Sequence, residues 1–297
     1  MKDRHFAHLT DGRTLSYAEY GDSSAEPVFY FHGWPGARYE GEMFMHPKIR
    51  LIAVERPGMG YSDFKAGRTL LDWADDVGEL ADILGINRFG VLGFSGGGPY
   101  AIACAYRMPE RLIATIVVNG LGPLTIPNAM DGLSLQHRFV FHLARRAPYI
   151  LSILLRLNMA GIRKLVMRPQ AGGSPPIAMP ECDRRLIAQH SDLRLLLLRD
   201  TMEAFRQGTD GPIWEQSIYV RPWGFELSAV KAPVHLWQGL EDINVSPAMA
   251  RYLAENLPNS EAHFCEGEGH ISLPYNHLEE TVQPFLSQSS GQSRNGK

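Results

Sequence analysis

The stretch FGVLGFSGGGPYAIACA, residues 89–105, decides the fold. Residues 89–94 form an apolar run of the length expected for a buried strand. From Pro99 through Ala105 the pattern turns helical, and a proline costs little in a first helical turn because its missing N–H would have no intrahelical acceptor there. Between the two lies Gly93-Phe94-Ser95-Gly96-Gly97. A G-x-S-x-G match held between a strand and a helix is a nucleophile elbow. A serine on so sharp a turn takes a strained backbone, and the residues two before and two after it come too close to carry side chains, which accounts for Gly93 and Gly97. Ser95 is therefore expected at the carboxyl edge of a sheet, beside a helix N-terminus that favours developing negative charge.

Outward from the elbow, the runs 28–32 (VFYFH), 51–54 (LIAV) and 112–119 (LIATIVVN) alternate with helical patterns, the signature of a mainly parallel sheet wrapped by helices. Leu70, Trp73, Ala74, Val77, Leu80, Ala81 and Leu84 recur at spacings of three and four, and Asp72, Asp75, Asp76, Glu79 and Asp82 take the other face. That helix is expected to stop at Gly85. After Gly120 the alternation gives way for about a hundred residues to helical patterns at 133–147, 149–167 and 182–206, with a Pro/Gly-rich break at 169–180. It resumes with a strand at 233–238 (PVHLWQ), a helix at 247–257, a strand at 261–265 and a last helix near 276–286. The sequence thus predicts a split α/β core, residues 1–121 and 226–287, an inserted helical block, 122–225, and a disordered polar tail, 288–297.

The chain has 297 residues, 44% hydrophobic and 21% charged, which is enough apolar material for a sizeable core and excludes a disordered or low-complexity protein. A net charge of -3 gives no basic field to hold phosphodiesters, against a nucleic-acid binder. The charge is unevenly shared: the helical block holds 13 Lys+Arg against 8 Asp+Glu, the rest 16 against 24. A basic block resting on an acidic core is the plainer reading, ahead of attraction for an anionic substrate. Cys104, Cys182 and Cys265 are odd in number and far apart, so neither a disulfide framework nor a zinc site is expected, and a reducing cytoplasm fits. The first twelve residues lack the apolar core of a secretory signal. Four polar or charged groups interrupt 149–167, too many for a transmembrane segment. The oligomeric state is open, with a homodimer among the alternatives.

A serine hydroxyl needs a base, and the base an orienting acid. Of eleven histidines, His270 stands apart, because Gly267-Glu268-Gly269-His270 is a loop directly after the last strand, where it can reach Ser95. The acid belongs on the loop after another late strand. Gly239-Leu240-Glu241-Asp242 follows PVHLWQ, with Asp242 chosen and Glu241 the competing carboxylate; the end of strand 112–119 offers Asn119 instead. The order Ser95, Asp242, His270 follows. Oxyanion donors are expected from the backbone N–H of Gly96, just after the nucleophile, and of Trp34, in His32-Gly33-Trp34-Pro35-Gly36. The Trp34 side chain either walls the pocket or simply packs, and His32 is expected to brace its loop rather than move protons.

On HGWPG at His32, ERPGMGYSD at Glu55, GFSGG at Gly93, GLED at Gly239 and GEGH at Gly267, the chain resembles the α/β-hydrolase superfamily, in the branch with a helical cap inserted after the sixth strand. The resemblance spans residues 9–286 and implies an eight-stranded sheet, a cis Trp34-Pro35 peptide and a pocket between cap and core. Haloalkane dehalogenases and epoxide hydrolases of this branch carry aspartate where Ser95 stands, and prolyl iminopeptidases typically read GGSWG at the elbow. Glu55 departs from the commoner DRPG opening, which affects local bracing. The expected function is a serine hydrolase, without cofactor or metal, acting on a small-molecule carboxylic ester or thioester. Its pocket would be lined by Trp34, Phe94, Phe139, Phe141, Leu154 and Leu155. The alternatives are a carbon-carbon bond hydrolase or lyase, an aminopeptidase, and a ligand-binding protein with little turnover.

Overall fold

The computed structural model describes residues 4–166 and 179–287, with side chains at 4–159 and 179–287. In chain order it contains β1 (His5–His8), β2 (Thr14–Gly21), β3 (Glu26–Phe31), β4 (Ile49–Val54), α1 (Leu70–Ile83), β5 (Phe89–Phe94), α2 (Gly98–Arg107) and β6 (Leu112–Val118). The helical block follows: α3 (Leu135–Arg146), α4 (Pro148–Val166), α5 (Glu181–Gln189), α6 (Ser191–Ala204) and α7 (Asp210–Tyr219). The chain then returns to β7 (Val234–Gly239), α8 (Pro247–Asn256), β8 (Ser260–Cys265), α9 (Ser272–Asn276) and α10 (Leu278–Ser287).

The eight strands make one sheet in the order β1-β2-β4-β3-β5-β6-β7-β8. The first two pairings, β1 with β2 and β2 with β4, are antiparallel, and all the others are parallel. Strand pleating sends alternate residues to opposite faces. Phe29, Phe31, Val91 and Val117 therefore meet Trp73, Val77, Leu80 and Tyr100 of α1 and α2 in one cluster, which also takes in Met249 and Leu253 of α8. Tyr30, Leu92, Ile116 and Val118 pack on the other side with Val282 and Phe285 of α10. With both faces covered, β3, β5 and β6 read as continuous apolar runs.

The antiparallel pair β1 and β2 escapes a search for apolar runs. HFAH and TLSYAEYG are polar at half their positions, and what holds them is backbone pairing to β4 together with burial of Leu15, Tyr17 and Tyr20. Helix α1 starts where Thr69 and Asp72 form a reciprocal capping box and ends before Gly85, whose φ of +69° suits glycine.

Two expectations for the helical block need correction. The single helix expected at 182–206 is two, α5 and α6, broken at His190, whose φ of -120° and ψ of 87° lie outside the helical region. The last turn of chain before β7 hides a further helix, α7, which shows no apolar periodicity because it buries Glu215, Gln216 and Ser217 along with Ile218 and Tyr219. The last predicted helix, near 276–286, corresponds to α10, and the short α9 precedes it. The predicted tail, 288–297, lies outside the described residues, as does nearly all of the predicted break at 169–180. No helix among the described residues is long and apolar enough to cross a membrane.

Candidate active site

Ser95 sits in the turn from β5 to α2 with φ +53°, the left-handed region that a residue with a side chain rarely occupies. Its neighbours explain how the turn closes. A methyl group on Gly93 would come within 2.4 Å of the Gly97 carbonyl oxygen, and one on Gly97 within 2.0 Å of the Phe31 oxygen, so neither position admits any larger residue. The carbonyl of Ser95 accepts from Leu121 N at 3.0 Å, tying the elbow to the chain just after β6.

His270 is buried and its Nδ1–H donates to Asp242 Oδ2 at 2.7 Å. The second oxygen of Asp242 is already committed: Oδ1 accepts from Asn244 N at 2.7 Å and Val245 N at 3.0 Å. Burial opposes a charge on His270, yet the Asp242 carboxylate and its hydrogen bond outweigh it, and the imidazole's pKa rises above the usual histidine value. Ser95, Gly96, Trp34, Phe94 and His270 line one cavity of about 220 Å³. The Phe94 ring lies 4.8 Å from the His270 ring, centroid to centroid. A larger cleft, about 540 Å³, lies around Tyr106, Trp223, Phe225 and Tyr252 and contains none of the predicted site residues.

The loop after β3 is held from three sides. Arg56 donates from Nη1 to His32 O at 2.5 Å and from Nη2 to Gly33 O at 2.9 Å. Fully buried His32 donates from Nδ1 to Gly33 O and accepts at Nε2 from Arg56 N, which is the expected bracing role. Its burial, reinforced by the Arg56 charge, holds its pKa well below the usual histidine value, so the ring is neutral. The Trp34-Pro35 peptide is cis, and the Trp34 indole N–H donates to Pro212 O on α7 at 2.9 Å while the residue lines the cavity. Both readings of Trp34, wall and packing, hold together. Glu55 is fully buried and pairs with Arg38, itself paired with Glu203 on α6, so the departure from DRPG does serve local bracing.

The predicted pocket residues divide. Trp34, Phe94 and Phe141 line the cavity. Phe139, 55% exposed, and Leu154, 40% exposed, lie on the surface, and Leu155 packs among Met159, Ala204 and Phe205 instead. The reason is helical phase. On α3 the stripe His137, Val140, Phe141, Ala144 turns inward at three- and four-residue spacing, and Phe139 falls outside it.

Several polar residues of the site carry no motif and escaped the sequence reading. Glu40, on a 3-10 turn at Arg38–Phe44, lines the cavity, and its Oε2 accepts from Tyr30 Oη at 2.7 Å and from Gly33 N at 2.5 Å. Burial raises its pKa above the usual carboxylate range. His137, seen in sequence only as a helix residue, also lines the cavity; burial and the nearby His270 push its pKa down to about 4. Asn119, met above as the residue in place of an acid, clamps the loops instead: its Nδ2 donates to the carbonyls of Gly269 and His270, each at 3.0 Å, and its Oδ1 accepts from Gly239 N at 2.9 Å. Asp183 of α5 accepts from the amides of His270, Ile271 and Ser272 at 2.8–3.0 Å, so the helical block itself positions the histidine loop. Glu215 of α7 is wholly buried between Arg56 and Arg68, and accepts from Tyr100 Oη at 2.7 Å. Tyr219, one turn later, places its hydroxyl 2.8 Å from Glu215 and 3.0 Å from the Gly96 carbonyl, against the elbow. Only the pairing of these residues across the fold reveals them.

Comparison with known proteins agrees with this architecture. The enol-lactonase from Burkholderia xenovorans LB400 superposes with a TM-score of 0.70 at 18% identity, covering 95% of this chain and 100% of that one. A non-heme chloroperoxidase from Streptomyces lividans is 30% identical over 135 residues, 43% of this chain and 49% of its own length, so that match spans about half of each. A 2-hydroxy-6-oxononadienedioate/2-hydroxy-6-oxononatrienedioate hydrolase from Paraburkholderia phymatum is 25% identical over 301 residues, 95% of this chain and 93% of that protein. The sequence profile described as "Alpha/beta hydrolase family" matches residues 28–283. With an eight-stranded sheet in this order, a left-handed serine at the β5 elbow and a profile match over most of its length, the chain belongs to the alpha/beta hydrolase family.

Proposed function

We propose that this protein is a serine hydrolase that cleaves a carboxylic ester or thioester through an acyl-enzyme. The observation that carries the reading is Ser95, on its left-handed turn, facing one cavity with a buried His270 whose Nδ1 is held by Asp242 at 2.7 Å. In this reading the neutral His270 removes the Ser95 proton at Nε2 as Oγ attacks the acyl carbon. The imidazolium so formed is stabilised by Asp242 and passes the proton to the leaving oxygen or sulfur. The N–H groups of Trp34 and Gly96 receive the oxyanion, and the positive end of α2 adds to them. Water then reverses the first half. A cavity of about 220 Å³, roughly seven water volumes, suits a small acyl group. Its polar lining of Glu40, Gln136, His137, Gln216 and Asn244 favours an acyl group with a hydrogen-bonding substituent. The block α3–α7 acts as the cap of a core at 1–121 and 226–287.

A fluorophosphonate probe should label Ser95 in the intact protein and fail to label Ser95→Ala, which should also lose turnover of p-nitrophenyl esters while staying folded. Substantial ester turnover by purified Ser95→Ala would sink the serine mechanism. The near full-length likeness to a hydrolase of a 2-hydroxy-6-oxo dienedioate supports a second reading, carbon-carbon bond hydrolysis of a dicarbonyl by the same residues. Faster turnover of such a dicarbonyl than of any ester in a panel would select it.

A further inference from the structure

Away from the Ser95 cavity, β7 and β8 bring a second set of functional groups together. In the parallel register His235 lies directly opposite Glu261, and Trp237 opposite His263. Glu261 and His263 are two apart on β8, so the pleat turns both to the same face as His235. An i, i+2 pair on one strand and a third donor across from it is a compact way for a sheet to converge three side chains on one point. Here one donor atom from each of His235, Glu261 and His263 lies within 4.8 Å of the others.

The spacing within this group is that of loose ion pairs, and it also matches the edge of a metal coordination shell. Histidine–carboxylate pairs elsewhere among the described residues range from 2.7 Å (His270 and Asp242) and 2.8 Å (His46 and Glu279) to 3.5 Å (His277 and Glu268). His235 Nδ1 is 3.3 Å from Glu261 Oε2, and His263 Nε2 is 3.4 Å from Glu261 Oε1. Bonds of 2.0–2.2 Å from nitrogen and oxygen to a tetrahedral zinc ion set neighbouring ligand atoms about 3.3–3.5 Å apart. The His263 ring is held by stacking on Trp237, with centroids 4.1 Å apart and planes 17° from parallel. His235 is less than one-fifth exposed, so two of the three ligands are largely fixed before any ion arrives. Glu261, the third, is open to solvent.

We propose that His235, Glu261 and His263 bind one divalent ion of the zinc type, with water completing its coordination. Two imidazoles and one carboxylate suit zinc, copper or nickel over calcium or magnesium, which prefer all-oxygen shells. Such an ion would staple the edge strand β8 to β7, at the amino-terminal part of strands whose carboxyl ends lead to Asp242 and His270. Its effect is therefore on stability and not on the reacting atoms.

The test uses the full chain without an affinity tag, stripped with chelator, and zinc alone as the probe. Competition against a chromophoric chelator should show one saturable site, and zinc should raise Tm. His263→Gln and Glu261→Gln should each weaken that site at least about tenfold and abolish the rise in Tm, since even outer-shell losses cost about 10–100-fold. Cys265→Ser, which removes a thiol farther along β8, should change neither. All three positions are at least partly solvent-exposed, so the metal-free variants should melt as the wild type does. The proposal is overturned if no single saturable site forms, if both ligand variants bind zinc as the wild type does, or if binding falls with Cys265→Ser instead. A ligand variant that unfolds is replaced by His235→Asn, for which the same loss is required.

Discussion

Replacing Asp242 by asparagine tests the arrangement where its geometry is most constrained. The Oδ1 position accepts two backbone N–H bonds, from Asn244 and Val245, so the asparagine must keep its carbonyl oxygen there and turn its NH2 toward His270 Nδ1. Nδ1 then becomes an acceptor, the ring proton moves to Nε2, and that nitrogen can no longer act as the base the proposed mechanism requires. A loss of about 10³–10⁴-fold in kcat is expected, about 4–5.5 kcal/mol of transition-state stabilisation. The pH profile carries a second signature. On the proposed mechanism wild-type His270 must be neutral to act, so kcat/KM should rise with pH through a histidine pKa that Asp242 holds above the usual value. With the carboxylate gone, burial remains and favours the neutral ring, so the residual acid limb should move to lower pH. The assay is steady-state hydrolysis of p-nitrophenyl acetate from pH 5 upward, with Glu241→Gln alongside. Glu241 is exposed and its substitution should change kcat by no more than about threefold. An Asp242→Asn enzyme retaining a tenth or more of wild-type kcat, or a larger loss in Glu241→Gln, would refute the assignment of the acid.

Asp183→Ala strips three backbone amides of the His270 loop of their acceptor, and should lower stability by about 3 kcal/mol or more in urea unfolding while reducing kcat more than it raises KM. Glu215→Gln leaves Arg56 and Arg68 buried without a counter-charge and should cost about 3–5 kcal/mol at pH 7. Burial alone would raise the Glu215 pKa, but the two guanidiniums hold it well below the usual carboxylate range. Its contribution is therefore full above the unfolded-state value and fades as pH falls below it, so the stability gap between wild type and variant should narrow from pH 7 toward strongly acid solution. Phe141→Ala, which opens the cavity wall, should shift preference toward bulkier acyl groups in a panel of p-nitrophenyl esters, whereas Phe139→Ala on the surface should leave the ranking unchanged.

Where the physics is local, short runs of residues were enough to read the structure. A buried strand must be apolar on both faces, and a serine on a left-handed turn needs glycine two residues either side. So β3 to β7, the elbow at Ser95 and the loops carrying Asp242 and His270 could be read from short runs of residues. The polar pair β1 and β2 could not, because their stability comes from pairing with β4. Nor could α7, whose inward face carries a glutamate and a tyrosine that make sense only opposite Arg56, Arg68 and the Gly96 carbonyl. Which aromatic residues of α3 and α4 reach the cavity was a matter of helical phase against a surface built from other parts of the chain. Glu40, Asn119, Asp183 and Glu215 show the same division. Each is an ordinary polar residue in sequence, and each acquires its role because folding buries it where a partner from another element or loop must satisfy it, a requirement that comes from the fold as a whole.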